Sequence, residues 1–109
     1  MPIITATPNS AQSSVTIAGV TTPDIQNISL ALADTEYTVT LPASTKRFRL
    51  QVRGTSKLKL AYTLGQSGSN YITVWPGAYY TETELDINSL SIYVQASKSG
   101  EILEIVSWV

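Results

Sequence analysis

Arg47-Phe48-Arg49-Leu50-Gln51-Val52-Arg53 alternates polar and apolar residues without a break. A period of two is the period of a β-strand. It puts Phe48, Leu50 and Val52 on one face and the three arginines on the other. The same pattern recurs on both sides, in Tyr37-Thr38-Val39-Thr40-Leu41 and in Lys57-Leu58-Lys59-Leu60-Ala61-Tyr62-Thr63-Leu64. Further runs occupy 70–75, 79–87, 91–95 and 101–109. Turn signals separate them: Leu41-Pro42-Ala43-Ser44, Arg53-Gly54-Thr55-Ser56, Gly65-Gln66-Ser67-Gly68, Trp75-Pro76-Gly77 and Lys98-Ser99-Gly100. Short strands with frequent turns indicate an antiparallel sandwich or barrel. No window carries a sustained helical apolar repeat. The expected fold is all-β, an antiparallel β-sandwich of jelly-roll-like form over residues 28–109.

Residues 1–27 read differently. From Met1 to Ala33 the only charged side chain is Asp24, and Pro2, Pro8 and Pro23 are spaced through a Thr-, Ser- and Asn-rich stretch. Proline removes a ladder donor, so central strands are disfavoured there. Ser14-Val15-Thr16-Ile17 could still pair at an edge. The expectation is an extended N-terminal arm that orders against a neighbouring subunit, with a floppy leader as the alternative. In Pro76-Gly77, proline presets the second turn residue and glycine accepts positive φ at the third, the type II arrangement. The run 101–109 stays apolar to its end, so it is expected to dock within the sheet.

Composition narrows the function. The 109 residues contain no cysteine and no histidine. That removes disulfides, thiolate nucleophiles, Cys/His zinc sites and Ser-His-Asp triads. Charged residues are only 14%, against 14 Thr and 13 Ser, while 43% apolar content supports a packed core rather than disorder. No segment has the basic start and apolar centre of a secretory signal, or the length of a membrane span. The expectation is a protein made in the cytoplasm, with no membrane partner.

Three clusters are candidates for chemistry. Glu82, Glu84 and Asp86 alternate within one run and would share a strand face, about 7 Å apart at neighbouring positions. A carboxylate pair can serve glycoside hydrolysis, but a solvated face is the simpler expectation. No other polar cluster supports catalysis, so the chain is read as a non-enzyme with no cofactor and no metal. Lys46, Arg47, Arg49, Arg53, Lys57 and Lys59 supply six of the seven cations, and no acid lies between Glu36 and Glu82. If the two basic runs pair as a hairpin they form a basic stripe. Nucleic acid is disfavoured, because the aromatics that single-strand binders interleave with charge are missing from the face opposite Phe48. Five of the eight acids fall in 82–104, so the basic and acidic stretches are complementary, within one subunit or between subunits. The aromatics Tyr71, Trp75, Tyr79, Tyr80, Tyr93 and Trp108 suit a core rim, a protein interface or sugar stacking. The interface candidates are Arg47, Arg49, Arg53, Lys57, Lys59, Trp75, Tyr79 and Tyr80.

The uncharged leader, the Thr-rich strands, and the series Tyr80-Thr81-Glu82-Thr83-Glu84-Leu85, Leu90-Ser91-Ile92-Tyr93-Val94-Gln95-Ala96-Ser97 and 101–108 together resemble the small structural proteins of tailed-bacteriophage virions. Capsid decoration or cement proteins are the nearest in size. The resemblance covers about residues 34–109 and carries over no individual functional residue. It implies a β-sandwich on the capsid surface, a homotrimer that binds the major capsid protein and stabilises the shell. Tail, neck or fibre-attachment proteins are the near alternatives within that group. A carbohydrate-binding β-sandwich module is the alternative from another class.

Overall fold

The computed structural model describes residues 22–109. Eight strands follow in order: β1 (Asp24–Leu30), β2 (Tyr37–Thr40), β3 (Arg47–Arg53), β4 (Leu58–Ala61), β5 (Ile72–Val74), β6 (Tyr80–Glu82), β7 (Ser91–Ala96) and β8 (Glu101–Trp108). They form two four-stranded antiparallel sheets, the first in order β1-β8-β3-β6 and the second in order β2-β7-β4-β5. The pairs β1·β8, β2·β7, β3·β6 and β4·β5 are nested, as in one long hairpin with β4 and β5 at its tip. Wrapping that hairpin adds the pairs β8·β3 and β7·β4. This is the jelly-roll topology, an eight-stranded double sheet.

The alternation read in the sequence is the burial pattern observed. Phe48 and Leu50 of β3 and Leu103 and Ile105 of β8 point inward from the first sheet, and Leu58 and Leu60 of β4 and Ile92 and Val94 of β7 from the second. All eight are at most 1% exposed, and all sit on the two central strands of their sheet. Each such burial contributes about 1.5–3 kcal/mol before the entropic cost of ordering. The final run is β8, held between β1 and β3. At 75–78, Ala78 N–H donates to Trp75 O at 3.0 Å and Gly77 has φ 82°, so the Pro76-Gly77 turn is type II as expected.

Several sequence expectations change. The basic runs 47–53 and 57–64 do not form a hairpin. Through Gly54, at φ 134°, the chain crosses from the first sheet to the second, so the arginines and the lysines lie on different sheets. The run 57–64 stops at Ala61, because the 62–71 segment turns back onto Glu36. The run 79–87 stops at Glu82. Glu84 takes φ 58° and Leu85 N–H donates to Lys46 O at 2.9 Å, so Glu82, Glu84 and Asp86 share no strand face. Sheet pairing begins at Asp24, ahead of the boundary expected at 27/28. Most of the expected arm, including 14–17, lies outside the described residues.

Candidate functional site

With the interior filled by apolar side chains, the distinctive chemistry lies on the two outer faces. On the first sheet, Arg47 is the register partner of Trp108, and its guanidinium carbon stands 3.9 Å from the Trp108 ring centroid. Arg49 stands 3.8 Å from the Tyr79 ring. Arg53 Nε donates to Glu104 Oε2 at 2.8 Å, Gln51 Nε2 donates to Glu104 Oε1 at 2.9 Å, and Arg53 Nη2 reaches Asn27 Oδ1 at 3.4 Å. The Gln51 amide, then Arg53, holds the Glu104 carboxyl below its ordinary value. Between these groups runs a shallow cleft of about 300 Å³, lined by Ile25, Asn27, Arg49, Gln51, Glu104 and Val106.

On the second sheet, Lys57 Nζ stands 5.6 Å from the Trp75 ring and Lys59 Nζ 4.9 Å from the Tyr71 ring. Its strands contain no Asp or Glu. The outward positions are otherwise hydroxyl or amide groups: Thr38, Thr40, Thr73, Ser91, Tyr93 and Gln95. Cation–ring contacts of this kind contribute about 0.5–1 kcal/mol at exposed sites.

Two polar clusters lie at the flanks, and the first of them joins the two sheets. The Tyr62 hydroxyl, just past β4, lies 3.0 Å from the Tyr80 hydroxyl, which donates to Glu82 Oε2 at 2.6 Å. Partial burial, and then the bond to Tyr80, pushes the Tyr62 phenol well above the ordinary tyrosine value. Burial, and then the bond to Glu82, raises Tyr80 as well. Elsewhere, Glu36 accepts from Ser67 Oγ at 2.6 Å, Gly65 N–H at 2.8 Å and Ser67 N–H at 3.0 Å, which keeps its carboxyl below the ordinary value. Glu82 is thereby a hydrogen-bond acceptor inside a tyrosine chain, and Glu36 is a loop anchor.

Among the expected site residues, Arg47, Arg49, Arg53 and Tyr79 share the first sheet's outer face, and Lys57, Lys59 and Trp75 the second's. Tyr80 joins neither; it turns inward, 6.1 Å from the Phe48 ring. The premise that aromatics are missing beside the cations is overturned. Trp108, Tyr79, Trp75 and Tyr71 reach the cations from neighbouring strands, and one face of each ring is taken by the chain's own cation. The complementary-charge expectation is met within the chain at Arg53–Glu104. Sequence reasoning missed Tyr71 and Trp108 as ring partners and Glu36 as an anchor. The pairing of strands, which brings them together, has no local signature. Among the described residues no three His, Cys, Asp or Glu side chains converge to hold a metal, and no helix is long and apolar enough to cross a membrane.

No protein-family model and no curated protein matches the chain. Among solved structures it is similar to a de novo designed double-stranded β-helix determined by solution NMR, at 17% identity and a TM-score of 0.51, over 82% of this chain and 100% of that one. At that identity the likeness is one of fold alone, and it agrees with the jelly-roll order of the strands.

Proposed function

We propose that this chain is a non-enzymatic structural protein of a tailed-phage virion. In this reading it is a decoration or cement protein made in the host cytoplasm, binding the major capsid protein at the capsid surface as a homotrimer. The observation that supports the reading is the division between inside and outside. The jelly-roll interior is closed by apolar side chains, whereas two broad outer faces present cations stacked on exposed rings, with Trp75 62% and Tyr79 57% exposed. Rings and arginines of this sort are enriched at protein interfaces. A subunit that binds only the assembled lattice stabilises it by mass action, about 2.7 kcal/mol at a hundredfold excess over Kd.

The test is co-sedimentation of the purified protein with shells assembled from the major capsid protein alone. Saturation at a fixed copy number per shell, with a raised shell disruption temperature, is the expected result. Absence of binding to shells, with binding to isolated tails or necks instead, would move the protein to that part of the particle. One observation favours a carbohydrate-binding module as the second reading. A cleft of about 230 Å³ brings Tyr62, Thr63, Asn70 and Tyr71 together beside the aliphatic Leu60, Ala61 and Ile72, and its rings with hydroxyl and amide groups suit a sugar. Saturable binding on a glycan array, lost in Tyr71→Ala, would select that reading.

A further inference from the structure

The second sheet's outer face lacks its complement within the chain. Lys57 and Lys59 stand over rings, and among the described residues neither has a carboxylate within ion-pair reach. Trp75 is 62% and Tyr71 40% exposed beside them. The complement lies at the other end of the sandwich. Leu85 packs against the core and its N–H donates to Lys46 O, while Ser44 N–H donates to Asn88 O at 2.9 Å. The loop is therefore pinned at both ends. It leaves Glu84, Asp86 and the 45%-exposed Ile87 outside, with no cationic partner for either acid among the described residues.

These two surfaces cannot meet in one chain. Glu82 pairs with Phe48 near the start of β3, whereas Lys57 follows the end of β3. A seven-residue strand, roughly 20 Å of extended backbone, separates them. The first sheet's cations are a poorer complement. Arg53 is already neutralised by Glu104, and Arg47 and Arg49 lie in the half of β3 that pairs with β6 beside the acidic loop. We infer that the Lys57/Lys59 face binds the 83–87 loop of a second copy of this chain, head to tail. The lysines meet Glu84 and Asp86, and Ile87 seats against Trp75 and Tyr71. Each copy then offers one loop and one face, and such a heterologous contact closes into a ring when its rotation permits. The inference deepens the structural-protein reading but needs no capsid, so it can fail while shell binding stands, and the reverse.

The test is the mass of the isolated full chain by light scattering and sedimentation velocity, from about 0.05 M to about 0.5 M salt, across which screening shortens several-fold. The wild type should associate, less tightly at high salt. Lys57→Glu/Lys59→Glu and, separately, Glu84→Lys/Asp86→Lys should each weaken association by about a hundredfold through like-charge contact. Combining all four reversals should restore it, because face and loop are again complementary. The rescue separates a lost contact from a misfolded variant, and far-UV circular dichroism checks each one. A monomeric wild type overturns the inference. So does association that survives the loop reversal, or a fourfold variant that stays dissociated. Binding of a single-stranded oligothymidylate that is lost in Lys57→Glu/Lys59→Glu would assign the face to nucleic acid, and would overturn it too.

Discussion

On the first sheet, Glu104 stands between Gln51 and Arg53 and takes a hydrogen bond from each, so the cation at the end of β3 is neutralised inside the chain. On the second sheet two lysines sit over rings, and no strand supplies an acid. The two faces cover a single core and arise from consecutive basic runs, yet the first pairs one of its three arginines with an acid of its own and the second pairs neither lysine. A face that pairs its own charges tolerates solvent as its only neighbour. One that lacks an acid presents positive potential and exposed rings together, the combination that steers and registers a partner.

The comparison assumes that the faces differ outside while sharing one interior, and the largest expected effect tests that assumption. Phe48→Ala on the first sheet should cost about 3–5 kcal/mol and Leu60→Ala on the second about 2–5 kcal/mol, since both side chains are at most 1% exposed. Each should lower stability without splitting the transition. Trp108 ends β8 in the first sheet and Trp75 follows β5 in the second, so Trp75→Phe and Trp108→Phe leave one fluorescent reporter per sheet. Coincident urea midpoints are expected from the two reporters. Separate midpoints would mean that the sheets unfold as two units.

How the faces came to differ was only partly legible in the sequence. Alternation assigned inner and outer sides correctly for Phe48, Leu50, Leu58 and Leu60, because burial of one face imposes a period of two whatever the partner strand. The turn at Pro76-Gly77 and the interior docking of β8 were equally local. The sheet each strand joins was not. Arg53-Gly54-Thr55-Ser56 reads as a hairpin turn, but the chain there crosses between sheets, and nothing in four residues distinguishes the two. The ring partners of Lys57, Lys59, Arg47 and Arg49 are set by strand order, a global property. The shortening of the runs at Ala61 and Glu82 has a tertiary cause as well, the capture of 62–71 by Glu36 and of Leu85 by Lys46 O.

The Tyr62–Tyr80–Glu82 chain joins the sheets outside the core, and Tyr62→Phe sharpens how much that junction contributes. At neutral pH the loss should be about 1 kcal/mol, the net worth of an ordinary hydrogen bond. The Tyr62 phenol is raised above its ordinary value of 10.0, chiefly by burial, so the folded state holds its proton where the unfolded chain releases it. That stability is complete below pH 10.0 and declines as pH rises beyond it. The wild type should therefore keep its advantage over Tyr62→Phe up to about pH 10 and lose it as pH rises towards about pH 11 in urea titrations, since tyrosine in the unfolded chain ionises at about 10. A gap that is constant across that range would show that Tyr62 is not desolvated at the junction.

Glu36 acts on the second sheet's flank with the opposite sign. Its carboxyl is lowered, first by the Ser67 hydroxyl and then by the Gly65 and Ser67 amides. Its contribution is present above the ordinary value of 4.5 and is lost as pH falls below it. Glu36→Gln should leave global unfolding nearly unchanged while speeding amide exchange at Gly65 and Ser67. Wild type and variant should converge as acid protonates the carboxylate. Equal protection of those amides at neutral pH would remove Glu36 as the anchor.

The smallest effect is expected at the one cation of the first sheet that is already paired with an acid. Arg53 is 55% exposed and Glu104 27%, so their attraction acts largely through water and holds two long side chains in one geometry. Arg53→Ala should shift the urea midpoint by no more than its scatter, and it should do so at low and high salt alike. The loss is limited because Gln51 still donates to Glu104 and keeps the carboxylate solvated and bonded. The substitution should also leave the association state of the isolated protein unchanged, in contrast to reversals on the second sheet. That contrast isolates the feature that matters, a cation's lack of an acid within its own chain rather than its charge. If Arg53→Ala instead dissociates the protein as fully as Lys57→Glu/Lys59→Glu, the first face is also part of a contact between copies, and the division between a paired and an unpaired cation does not hold.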